Sequence, residues 1–143
     1  MGNFLRKYIP FSFALWAMIV LNGLVIAFHL LVLTQIIPFD IVWAGKLKTV
    51  EEMVKFESIS IGINILLMVL LFARAGLFKT GKFERAIVPL LWVFVFIFAL
   101  NTIGNLFSET SLEMLVATPL TFVSSILCLR LALGKAEKST TFV

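Results

Sequence analysis

The sequence predicts an all-α integral membrane protein, an up-and-down bundle of four transmembrane helices. Three observations carry that fold class. Apolar residues make up 61% of the 143 residues and charged residues 14%, against roughly 45–50% and about 25% in a soluble domain. The apolar residues gather in four runs long enough to cross a bilayer, which takes roughly 18 residues or more, and the mean hydropathy is +1.08. The charges lie almost wholly between these runs. The net charge of +4 therefore fits membrane topology better than a nucleic-acid-binding face.

The first helix spans about Pro10–Ile37. Pro10 suits a first helical turn, where its missing N–H is not needed, and Pro38 stops the far end. At 1.5 Å per residue the segment measures about 42 Å. That exceeds a hydrocarbon core of about 30 Å, so the helix tilts or protrudes. Arg6 and Lys7 ahead of an apolar stretch invite a signal-peptide reading, but the stretch is too long and no A-x-A-like site closes it. It is therefore read as a retained span.

The loop PFDIVWAGKLK follows, with Trp43 suited to the membrane interface. Thr49 and Glu52 form a capping box that opens the second helix, Val50–Arg74. A basic loop punctuated by glycine leads to the third helix, Ala86–Phe107, with Pro89 tolerable near its first turn. Thr110 and Glu113 offer a second capping box for the fourth helix, Ser111–Leu133. A single cysteine, Cys128, excludes an internal disulfide.

Charge predicts the orientation. Arg6, Lys7, Arg74, Lys79, Lys82, Arg85, Arg130, Lys135 and Lys138 fall on one side of such a bundle, and Lys46, Lys48 and Lys55 on the other. Basic residues favour the cytoplasmic side, which puts both termini inside. Six of the eight acids fall on the opposite side, where only Glu84 and Glu137 do not. The expected location is the bacterial inner (plasma) membrane.

Polar groups inside apolar spans are costly, so they are expected to face the bundle interior or water. Counted from the outer helix ends, His29 lies about 12 Å down, Asn101 about 9 Å, Asn105 about 3 Å and Thr118 about 11 Å. Asn64 follows Glu57 by seven residues on one helical face, and Asn22 precedes His29 by the same interval. Pro119 frees the carbonyl of Leu115. These residues suggest an outward-opening polar pocket walled by His29, Glu57, Asn64, Asn101, Asn105 and Thr118. The alternative is that they hydrogen-bond neighbouring helices, each contributing about 1 kcal/mol or less. Glu57 either snorkels to the interface or lines a cavity. Arg74 and Arg130 are expected to snorkel to lipid headgroups. A zinc site needs about four ligands, and the single histidine and distant Cys128 do not supply them, so no metal is expected.

The segments PFDIVWAGKL, FESISIGIN, LNTIGNL and ATPLT resemble those of small four-span bacterial membrane proteins without an assigned activity. By layout the chain is also similar to small multidrug transporters and fluoride channels. It lacks the first-helix membrane-embedded Glu of the former and the first-helix Gly/Arg motif of the latter, so no site residues carry over. The expected function is binding or transport of a small molecule or ion. The alternative is an accessory or assembly subunit that works through helix–helix contacts with a partner protein. No nucleophile–base pair, phosphate loop or metal motif supports an enzyme. The sequence specifies no cofactor. Beyond the lipid bilayer, the expected partners are a second copy of the chain or another membrane protein.

Overall fold

The computed structural model describes residues 2–77 and 83–134, and these form helices and short turns with no strand. A short helix α1 (Gly2–Tyr8) leads into α2 (Phe11–Leu33), α3 (Val50–Ala75), α4 (Glu84–Leu106) and α5 (Thr118–Ala132), the last preceded by a π-helical turn at Glu113–Ala117. Four of these segments are long and apolar enough to cross a membrane: Phe11–Leu33, Val50–Ala75, Arg85–Leu106 and Glu113–Ala132. Within the most apolar 18-residue stretch of each, at most a third of the residues are buried. Phe96, Leu100 and Leu115 turn outward, each more than 60% exposed. Such continuous apolar surface is stable only against lipid. The protein is an all-α four-span membrane bundle.

The helix ends show where local chemistry acted. Thr49 caps α3 by accepting from Glu52 N–H at 3.2 Å, while Glu52 Oε2 accepts from Thr49 N–H at 3.3 Å, so the expected capping box forms in full. Gly76 ends α3 in the left-handed region at φ 79°, a conformation that suits glycine.

The first span differs from expectation at both ends. Pro10 is its N-cap and not a first-turn residue, and the helix stops at Leu33, four residues before Ile37. Gln35 turns at φ 59°, and the N–H groups of Ile36 and Ile37 both donate to Leu31 O, which closes the helix before Pro38 is reached. α4 begins at Glu84, so Pro89 lies in its second turn and deprives the Arg85 carbonyl of its helical donor. At the last hairpin, Ser108 joins the residues of the expected second box: its hydroxyl donates to Glu113 and accepts from Thr110 N–H at 3.1 Å.

The apolar core fills the half of the bundle that carries the termini. It is built from Ala14, Leu15, Met18, Leu67, Leu71, Leu91, Phe94, Phe98, Leu127 and Leu131. A smaller cluster of Val32, Val42, Leu47 and Met53 lies under the loop at the opposite, hairpin end. Polar contacts occupy the space between the two.

Arg74 and Arg130 turn inward and not out to headgroups. Arg130 is 3% exposed. Its Nε donates to Ile9 O at 2.7 Å and its Nη1 to Gly134 O at 2.8 Å, while Arg74 donates to Leu131 O at 3.0 Å and Arg6 to Leu133 O. The carbonyls and negative dipole end of α5 draw all three guanidinium groups.

Candidate functional site

Polar groups of α2 and α3 form two rungs between antiparallel helices, one side chain to side chain and one side chain to backbone carbonyl. His29 and Asn22 are seven residues apart on α2, and Glu57 and Asn64 are seven apart on α3. Equal spacing on helices running in opposite directions lets both pairs meet at once, about 10 Å apart along the axis. In the rung nearer the hairpin end, His29 Nδ1 lies 2.6 Å from Glu57 Oε2. In the mid-span rung, Asn22 Nδ2 donates to Asn64 O at 2.9 Å, and Asn64 Nδ2 donates back to Ser60 O at 2.8 Å.

Glu57 is the centre of the site. It is 1% exposed, although it lies within a span. Its second oxygen, Oε1, accepts from Trp43 Nε1–H at 2.8 Å. Trp43 reaches it from the loop with its backbone at φ 54°, a left-handed conformation that costs a non-glycine residue about 1–2 kcal/mol. The indole also packs on Phe56, with ring centroids 5.0 Å apart. Both oxygens of a carboxylate buried in an apolar span are therefore held, one by a titratable ring and one by an indole. That meets the requirement that a buried charge be paired and hydrogen-bonded. The other nitrogen of His29, Nε2, has no hydrogen-bond partner among the described residues, and the side chain is 17% exposed. Beside the Trp43 indole a cleft of about 290 Å³ opens at the hairpin end, lined by Trp43, Lys46, Leu47, Glu52 and Phe56.

Comparison with protein families, curated proteins and solved structures returned no match. The residues of the site are therefore judged on chemistry alone.

Of the six candidate residues from the sequence, the structure brings His29 and Glu57 into contact and places Asn64 on the next rung. Because α2 ends at Leu33, His29 lies about 6 Å from its helix end and not about 12 Å. The other three lie on the second helix pair and make no bond to this ladder. Thr118 donates to Glu113 O at 3.2 Å within the π-helical turn. Asn101 is exposed and Asn105 half-buried, and neither amide makes a hydrogen bond among the described residues. The polar links between α4 and α5 are instead Thr102 to Thr121, 2.9 Å between hydroxyls, with Thr121 donating on to Ala117 O at 2.8 Å, and Ser125, whose hydroxyl donates to Val95 O at 3.1 Å.

Sequence reasoning did not assign Asn22, Trp43, Thr102 or Thr121 to the site. A signal for Asn22 was present in the matching seven-residue intervals on the two helices. For Trp43 there was none, since its role depends on a left-handed turn. No group of three or more His, Cys, Asp or Glu residues capable of holding a metal gathers among the described residues.

Proposed function

We propose that this chain is a small membrane protein that binds, and moves across the bilayer, a small solute or ion through a site centred on Glu57 and open to the outer face. The observation that supports this reading is a carboxylate 1% exposed inside a span, held by an ionisable ring and by an indole on a strained loop. Intramembrane ionisable groups are expensive and mark ion, proton or substrate pathways. Strained loop residues concentrate where a structure switches between states. Release of the Trp43 indole opens Glu57 toward the adjoining cleft. His29 takes or gives the proton that accompanies the change in charge. The resemblance to small four-span bacterial membrane proteins and the inner-membrane location with both termini cytoplasmic belong to the same proposal.

The test is reconstitution into lipid vesicles of a variant carrying Trp16→Phe and Trp92→Phe, so that fluorescence reports Trp43 alone. Protons, sodium, potassium and small organic amines are added outside, with flux followed in parallel. The expected result is a Trp43 signal and a flux for one of these solutes, both lost in Glu57→Gln. Absence of any Glu57-dependent signal or flux across the panel overturns the reading.

The second reading is an assembly subunit acting through helix contacts. One observation favours it: the amides of exposed Asn101 and half-buried Asn105, which make no hydrogen bond among the described residues.

A further inference from the structure

Asn101, Gly104 and Asn105 lie three and four residues apart on α4 and share one face. Asn101 and Gly104 are exposed, and a Cβ added at Gly104 would meet nothing within 4 Å. α4 has 23 residues, hence a length of about 34 Å. Asn101 precedes its last residue, Leu106, by five positions and so lies about 7 Å from the helix end. With a hydrocarbon core of about 30 Å, the exposed carboxamide lies at acyl-chain depth. Acyl chains offer no donor or acceptor, and each unsatisfied polar group in that medium costs several kcal/mol. Asn22, Asn64, Thr102 and Thr121 all reach partners inside the bundle. Asn101 does not, and its partner must come from outside the chain.

We infer that two copies of this chain associate through this face of α4, the Asn101 amides bonding each other across a two-fold axis normal to the membrane. A carboxamide carries both an NH2 donor and a carbonyl acceptor, so two asparagines satisfy each other as a pair. Copies of one sequence share one charge bias and insert the same way round. The two-fold axis then sets Asn101 opposite Asn101 at equal depth, with no further requirement. A different protein would have to present its own polar group at that depth. Gly104, one turn nearer the hairpin, lets the two backbones approach, as small residues do at helix crossings in lipid. Val93 and Leu100, both exposed, lie together about a quarter turn to one side of the amide and supply apolar contact there. The contact does not involve Glu57 and stands independently of the function proposed for it.

The test uses the full chain in lipid bilayers. In a Cys128→Ser background that keeps Asn101, Asn105→Cys on the same face of α4 is oxidised in the membrane beside Phe122→Cys, a control on an exposed position of α5. A covalent dimer is expected at position 105 and monomer at position 122. Fluorescence energy transfer between labelled copies, diluted with lipid, measures reversible association. Asn101→Leu is expected to weaken it about tenfold, and Asn101→Gln, which keeps an amide, to retain it. Three results would overturn the inference: monomers at every protein-to-lipid ratio, association unchanged in Asn101→Leu, or Asn101-dependent capture of a different protein in stoichiometric amount.

Discussion

At Glu57 the question is what happens when one partner is taken away. His29→Leu leaves Oε2 buried without a counterpart, and breaking a buried pair in this way costs about 3–5 kcal/mol. Denaturant titration of the purified protein should show that loss. Glu57→Leu combined with His29→Leu should recover much of it, because both polar partners then leave the interior together. Unchanged stability in His29→Leu would mean that water or a neutralising proton already reaches the carboxyl. Asn22 leads to the opposite sign. It is 1% exposed, and its Oδ1 has no partner while its Nδ2 donates to Asn64 O. Asn22→Leu gives up one interhelical bond worth about 0.6 kcal/mol and removes an orphan acceptor that costs about 1–3 kcal/mol. The variant should be as stable as the parent or more so under the same titration. A marked loss would show that Oδ1 has a bound water or ligand as its partner.

Among the elements, α5 has the most consequential end. The carbonyls of Leu131, Leu133 and Gly134, at and just past its end, are bound by Arg74, Arg6 and Arg130, and Arg130 also fixes the entry to α2 through Ile9 O. A guanidinium can serve two carbonyls at once, whereas an ammonium on a flexible stem cannot hold the same fork. Arg130→Lys should therefore cost about 1.5–3 kcal/mol, the worth of one hydrogen bond from a charged group, measurable as a lowered unfolding midpoint. At the other end of the same span, Pro119 follows the π-helical turn Glu113–Ala117. A proline that cannot donate to the turn before it is a common cause of such irregularity. Of these features, the capping box at Thr49 and Glu52 was legible in the sequence because both halves of it lie within four residues. The inward turn of Arg130 was not, because its acceptors are Ile9 and Gly134, and Ile9 lies 121 residues away.

For the whole molecule, the chemistry is divided by height. An apolar core closes the terminal half of the bundle, and paired polar groups occupy the hairpin half. The charge bias of the loops predicts that the terminal half faces the cytoplasm. A reporter active only inside the cell, fused after Val143, should be active, and one active only outside should be silent; the reverse result would sink the orientation. Four helices with polar residues at similar depth suggested one pocket. The structure instead sorts them by helix pair, with a ladder between α2 and α3, a hydroxyl link between α4 and α5, and Asn101 exposed and bonded to neither. Depth is a one-dimensional quantity, read by counting along each helix. Which neighbour a residue faces also depends on the rotation of that helix about its axis, and the weak amphipathicity of these spans leaves that rotation open.

The sequence by itself determined that the chain crosses a membrane four times as helices. Apolar runs of sufficient length, prolines, capping residues and charge placement act locally and need no knowledge of packing. It also supplied the matched seven-residue spacings that set Asn22 level with the backbone carbonyl of Asn64 where His29 meets Glu57. Only the tertiary structure decided that Glu57 is sealed by a loop tryptophan in a left-handed turn, that the arginines fold back on α5, and that Asn101 faces outward. Each of those outcomes depends on groups far apart in the chain or on the rotation of a helix. In lipid, where nearly every face of these spans is apolar, that rotation is set by packing and hydrogen bonds and not by the hydrophobic pattern.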